Sequence, residues 1–355
     1  MKHSYLSLAL IIPLLCQCGG YDSHFLSETD YIPVFGEDSC RYIDDNDTQW
    51  LAEPYSEASL FYEDMALICN ESDKKWGYID DNGELLFPAV YTGATIFHEN
   101  RAWVVRPDEA PCAIDSKGRL QLTLTRASKV MIFCEGMAAF AQKKGGRERW
   151  GFIDKAGNIV IEPIYKEVKP FSQGVAAVKN EKGLWGYIDN RGAEQIPARF
   201  RSAEPFSLKQ QAVVASEESG KSLVIGITGD TLAEIECEEL ISDGEIFRIK
   251  KDGKWGWCDM RGEIIVAPRF DDSLAFGMYE LAPVKINGKW GYIDRKGKLK
   301  IKRQFAEAYP FFDKLALVRT GTVYGFIDKN GHFQINPQYD RVSVDYIYQS
   351  LGVGS

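Results

Sequence analysis

Short apolar runs separated by clusters of Gly, Asp and Asn recur through most of this chain, and their spacing predicts strands. The stretch from Val175 shows the pattern most clearly. Ala176-Ala177-Val178 reads as a short strand, Asn180 to Gly183 as a turn, and Leu184 to Ile188 as a second, alternating strand, so the two form a hairpin. Asp189-Asn190-Arg191-Gly192 then predicts a tight turn. An Asp side chain can bond the backbone two residues on, and Gly accepts the positive φ that closes such a turn. A third strand follows, as in Ile159-Val160-Ile161 or Ile264-Ile265-Val266, and a Pro behind it, lacking an N–H, is expected to end it. Each unit therefore reads as three short strands and a connecting loop.

The units repeat. Aromatic-Gly-aromatic-Ile-Asp begins at Trp76, Trp150, Trp185, Trp255 (here Trp-Gly-Trp-Cys-Asp), Trp290 and Tyr324, with glycines at Gly77, Gly151, Gly186, Gly256, Gly291 and Gly325. The starts lie 74, 35, 70, 35 and 34 residues apart, so each long gap hides a further copy. Pro111 to Asp115 keeps the Ile-Asp, Ile225 to Thr228 reads as keeping only the Gly and an apolar neighbour, and Cys40 to Asp44 supplies a front copy. Nine units result, eroded near 111 and 225. An aromatic stands 11 residues after the motif Asp in seven units, among them Tyr91, Phe200 and Phe305, and a Phe stands 17 after it in six, among them Phe97, Phe171 and Phe311. Small residues such as Ala138, Ala177 and Ala282 fall a few positions later. Residues locked to the phase of a repeat are expected in the core.

These motifs resemble the WG-repeat proteins of bacteria over roughly residues 31–345. The resemblance implies a β-rich array, often exported, without an agreed activity or ligand. A meander of this size cannot bury its own aromatic face, so neighbouring units must stack. The expected fold is all-β: tandem antiparallel β-meander repeats of ~35 residues in an open, twisted, solenoid-like stack, with a closed β-propeller as the alternative. The motif Gly is expected to let a neighbouring backbone or ring approach closely.

The N-terminus reads as an address. Lys2 and His3 precede an apolar run from Tyr5 to Leu15, shorter than the roughly 20 residues needed to span a bilayer. Leu15-Cys16-Gln17-Cys18 resembles the lipobox of bacterial lipoproteins, which would make Cys18 the lipidated mature N-terminus, although Gln17 departs from the usual small residue. The chain thus divides into a signal peptide at 1–17, a tether at 18–30 and the array at 31–355. Lipid anchoring to a bacterial membrane is expected, with a secreted or periplasmic soluble form as the alternative.

Candidate chemistry adds little. Lys and Arg number 42 against 51 Asp and Glu, which disfavours nucleic acid as a partner. The four His, at 3, 24, 98 and 332, stand at no metal-ligand spacing, and the recurring Asp is explained by the turn without calcium. Six cysteines, Cys40, Cys69, Cys112, Cys134, Cys237 and Cys258, are even in number and permit three disulfides, although burial suits Cys258 better. No nucleophile, acid–base or phosphate-loop pattern interrupts the repeat. A catalytic residue, a cofactor and a metal are therefore not expected, unless the eroded units hide a site. The expected role is a non-catalytic binding or scaffolding surface of the cell envelope whose partner is a protein. The alternative is carbohydrate or peptidoglycan recognition through exposed aromatics, with Trp50, Trp103 and the region of Tyr279 as contacts.

Overall fold

The computed structural model describes residues 31–36, 39–53, 55–219, 221–277, 279–312, 314–343 and 350–352. Cys18, the signal peptide and the tether lie outside them. The described residues contain no helix, and their strands form antiparallel sheets, none of which closes into a barrel. The all-β array of tandem meanders expected from the sequence is what forms.

Nine units can be followed, each with four strands rather than three. In unit 4 they are Lys129–Cys134, Met137–Lys144, Arg147–Asp154 and Ile159–Tyr165. In unit 8 they are Asp272–Ser273, Leu281–Ile286, Lys289–Asp294 and Leu299–Phe305. Units 2, 3, 7 and 9 occupy residues 55–91, 93–123, 239–270 and 307–339 in the same order. Units 5 and 6 share one seven-stranded sheet, because the strand Glu194–Ala203 ends unit 5 and its last residues begin unit 6. In unit 4 a fifth strand, Ser350–Gly352, pairs along Lys129–Met131.

The additional strand is the segment read as a loop. In places it is two residues long, as at Glu167–Val168, and such a pair shows no alternation that a pattern could reveal. In the six units that have it, the Phe 17 residues after the motif Asp follows this strand or lies in it, which is why that position keeps its phase. A second correction concerns the Pro. Pro163, Pro268 and Pro337 do not end a strand; each sits inside the fourth strand of its unit.

The core lies between units, not within them. One cluster joins Trp103, Ala113 and Leu122 of unit 3 to Val130, Phe140 and Ile153 of unit 4. Another joins Met137, Phe152 and Ile161 of unit 4 to Phe171, Val178 and Ile188 of unit 5. Each sheet is thus covered by its neighbours, as stacked repeats require. The phase-locked small residues are buried, Ala138 and Ala282 at 0% exposure.

The two ends of the array also meet. The strands of unit 1 that lie early in the chain are Ile32–Gly36, Ser39–Ile43 and Gln49–Glu53, and its remaining strand, Arg341–Val342, comes from beyond unit 9. Val34 pairs with Val342 and Phe35 with Arg341. Arg341 donates to Glu57 Oε2 at 2.6 Å and to the Ser56 carbonyl at 2.7 Å, and its guanidinium lies 3.8 Å from the centre of the Phe35 ring. The array is thus joined at its ends by a short strand pair, while none of its sheets closes into a barrel.

Candidate functional site

The motif strand is the third of each unit, and each of its positions has a separate task. Gly151 faces a bulge in the fourth strand. Trp150 pairs with Tyr165 and Phe152 with Ile161, so the single residue between them, Gly151, faces three of the other strand, Glu162, Pro163 and Ile164. The extra pair folds over the glycine: a Cβ on Gly151 would stand 2.3 Å from the Ile161 carbonyl oxygen and 2.7 Å from the Pro163 nitrogen. The same holds at Gly186, Gly256, Gly291 and Gly325, where the nearest atom is again a fourth-strand carbonyl at 2.4–2.7 Å. At Gly77 it is the Ala89 Cβ at 2.7 Å.

The three units without this glycine have no bulge there. Cys40, Arg41 and Tyr42 pair in simple register with Glu53, Ala52 and Leu51; Cys112 and Ala113 do so with Thr123 and Leu122; Ser222, Leu223 and Val224 do so with Ile235, Glu234 and Ala233. Unit 6 also corrects the sequence alignment. Gly226 occupies the slot of the motif Asp, Leu223 that of the motif Gly, and Gly229 is the turn glycine. Ile225, read as the first residue of the motif, is its Ile.

The second motif aromatic fastens one unit to the next. Tyr78, Phe152, Tyr187, Trp257 and Tyr292 are buried and meet Phe97, Phe171, Phe206, Phe276 and Phe311 at centroid distances of 4.8–5.2 Å. Each tyrosine hydroxyl donates to a carbonyl 17 residues on: Tyr78 to Thr95, Tyr187 to Glu204 and Tyr292 to Tyr309. Trp257 instead donates to the buried carboxylate of Asp243 at 2.7 Å, which also accepts from the N–H groups of Phe276 and Gly277.

The first motif aromatic carries a cation from the second strand. Lys179 Nζ lies 5.7 Å from the Trp185 ring and 2.7 Å from Glu167 of the first strand. Trp255 carries Arg248 and Lys250, Trp290 carries Lys285, and Tyr324 carries Arg319, which is held 2.5 Å from Glu307. The Tyr324 hydroxyl also donates to Glu307, and burial together with that carboxylate pushes its pKa up to about 12. Sequence reasoning missed these cations, although the signal exists: a Lys or Arg stands five or six residues before the motif aromatic.

The motif Asp is consumed by its own turn. Asp189 Oδ1 accepts from the N–H groups of Arg191 and Ala193 at 2.9 and 2.8 Å, and Asp294 Oδ1 from those of Lys296 and Lys298 at 3.0 and 2.9 Å. Those N–H groups hold both carboxyls below the usual carboxylate range. At Asp115 the Arg119 guanidinium, and at Asp154 the Asn158 amide, is the first cause of the same shift. At Asp44, Asp80 and Asp328 desolvation alone would raise the pKa and is outweighed by the backbone N–H groups. A lowered folded-state pKa gives stability that is present above the unfolded value near 4 and lost as pH falls through the folded one. The melting temperature is therefore expected to hold from neutrality to about pH 5 and to drop steeply towards pH 3. Circular dichroism melts across that range check it, and a flat profile would contradict the role given to these carboxyls.

Other expected contacts are placed differently. Trp103 is fully buried, stacks on Phe133 and donates to the Met131 carbonyl, so it contacts no ligand. Trp50 is half-buried against Tyr31, and Tyr279 packs on the core between units 8 and 9. Cys40, Cys69, Cys112, Cys237 and Cys258 are free thiols, so the three pairs permitted by the count do not form. Burial pushes Cys40 and Cys258 up to about 12. His98 is buried with Nδ1 against the Phe133 carbonyl. No group of three or more potential metal ligands exists among the described residues.

The model of the WG containing repeat matches residues 76–106, 150–183, 185–207, 255–290, 290–321 and 324–346, half of the chain in all. The chain belongs to the WG containing repeat family. The matches fall on the six units with a motif glycine, and the WG pair is accordingly the signature of a bulged fourth strand. No curated protein matches the sequence. Among solved structures, a eukaryotic initiation factor is similar with 11% identity over 92% of this chain and 98% of its own, at a TM-score of 0.64, a likeness of fold alone. BamB from Moraxella catarrhalis shares 13% identity over 78% of this chain and 94% of its own, at a TM-score of 0.45.

Proposed function

We propose that this WG-repeat array is a non-catalytic binding or scaffolding module of the bacterial cell envelope, exported and lipid-anchored through Cys18, whose partner is a protein. One observation carries the reading. The recurring polar groups are spent inside the fold, while the fourth strands expose apolar side chains at one repeated place. Five and six residues after the motif Asp stand Leu85 and Leu86, Ile159 and Val160, and Ile264 and Ile265, joined by Leu120, Leu299 and Phe333 in neighbouring units. Recurrence at one place in unit after unit makes an exposed apolar band, and such surface on a folded protein marks a contact site. Recognition of glycans through aromatic faces has one exposed ring to rest on among the described side chains, Phe333, and no exposed tryptophan.

Photo-crosslinkers placed at Ile159 and Ile264 of the membrane-anchored protein in living cells are expected to give a discrete protein adduct, while crosslinkers at the exposed turn residues Lys182 and Asp252 do not. The double change Ile159→Asp, Ile264→Asp is expected to abolish co-purification of that protein without shifting the melting temperature. Adducts at all four positions alike, or a hydrolase activity that disappears with one polar side chain, would count against the reading.

A further inference from the structure

We infer that a groove between units 3 and 4 binds an acidic oligosaccharide, a ligand class distinct from the protein partner assigned to the apolar band. The groove encloses about 750 Å³, is lined by Thr125, Arg126, Gln142, Lys143, Lys144 and Glu162, and reaches the apolar band at Ile159. Its shape follows from the lost motif glycine of unit 3. There the fourth strand, Leu120–Thr123, has no bulge opposite the glycine slot, its one register shift lying between Ala113 and Ile114, and residues 124–128 form a loop instead. Facing that loop, the hairpin of Met137–Lys144 and Arg147–Asp154 is eight residues long on each side, the longest second and third strands of any unit. The two are tied together: Ser128 and Lys129 both bond Glu148, at 3.0 and 2.7 Å.

Charge then selects the ligand. Glu148 is taken by Lys129, and Arg126, Lys143 and Lys144 form no ion pair among the described residues. Three cations face a groove whose lining contributes one carboxylate, Glu162, on a chain with a formal charge of −9. Like charges gathered in a cleft repel one another and focus a field that attracts an anion. The neutral part of the lining is mixed: Thr125, Ser128 and Gln142 offer donors and acceptors to hydroxyl groups, while Ala127, Ile159 and Pro163 offer apolar contact to the faces of sugar rings, a combination that suits a sugar acid better than the charged side chains of an acidic peptide. The cations lie on exposed loop and hairpin residues, so replacing them leaves the core between the units intact.

Isothermal titration of the intact protein at low salt with tetragalacturonate, maltotetraose and hexaglutamate tests the assignment. Tetragalacturonate is expected to bind, to weaken as salt is raised, and to lose about tenfold or more in affinity in the variant R126S/K143S/K144S, with the melting temperature unchanged. Glu162→Lys is expected to tighten it, and maltotetraose not to bind. Absence of tetragalacturonate binding, equal binding by the triple variant, or hexaglutamate binding as tightly as the sugar acid would each overturn the assignment.

Discussion

Replacing Gly151 by Ala is expected to destabilise the array by about 2–4 kcal/mol, far beyond what one methyl group suggests. The new Cβ would stand 2.3 Å from the Ile161 carbonyl oxygen and 2.7 Å from the Pro163 nitrogen, and both neighbours are backbone. A flexible side chain could step aside; a bulge fixed by Pro163 and by the Trp150–Tyr165 pair cannot, without dismantling the fourth strand. The control is built into the chain. Arg41 occupies the same slot in unit 1, where the register is simple, so Arg41→Ala is expected to stay within about 1 kcal/mol. In unit 6 Leu223 packs on the core, so Leu223→Gly should cost the roughly 1 kcal/mol of glycine in a strand together with about 1–2 kcal/mol of lost side-chain burial, with no backbone clash involved. Urea unfolding followed by tryptophan fluorescence compares the three. Equal midpoints for Gly151→Ala and Arg41→Ala would refute the explanation of the motif glycine.

The second large effect is expected at the tyrosines between units. Tyr292→Ala removes a fully buried ring packed 5.2 Å from Phe311 and should cost about 3–5 kcal/mol, because the cavity lies between two sheets that cannot collapse separately. Tyr292→Phe keeps the ring and forfeits the hydrogen bond to the Tyr309 carbonyl, for about 1 kcal/mol. Unit 4 shows that the phenyl alone suffices: Phe152 fills the same slot against Phe171 with no hydroxyl. In a double-mutant cycle with Phe311→Ala the two losses should fall short of additivity by about 0.5–1.5 kcal/mol. Full additivity in the denaturation midpoints would show that the rings do not act as a pair.

Much of this was legible in the sequence because it is local or periodic. The Asp-x-x-Gly turns, the hairpin after Val175 and the core role of Phe97, Phe171 and Phe311 all follow from spacing. The rest depends on partners at a distance that the pattern does not encode. The first strand of unit 5, Glu167–Val168, is a strand only because Val178 and Lys179 pair with it. Pro163 looked like an end because a missing N–H excludes a regular ladder, whereas a bulge tolerates it. Trp103 stood outside the phase of the repeat and so seemed free to meet a ligand, yet it fills the space against Phe133 in a unit whose motif aromatics are gone. The groove beside Arg126 was invisible for a related reason: it arises from residues displaced by an absent bulge.

The borrowed strand Arg341–Val342 has a consequence for how such a chain can change. A repeat protein with free ends can gain or lose a module by unequal exchange and remain folded, since each module touches only its neighbours. Here the first module is incomplete until the far end of the chain arrives, with Arg341 clasped by Glu57 and the Ser56 carbonyl. A tenth module would push that strand out of reach, and a deletion would draw it short. The count of units is thus tied to the joined ends, while the motif within a single unit can vary, as it does in units 3 and 6.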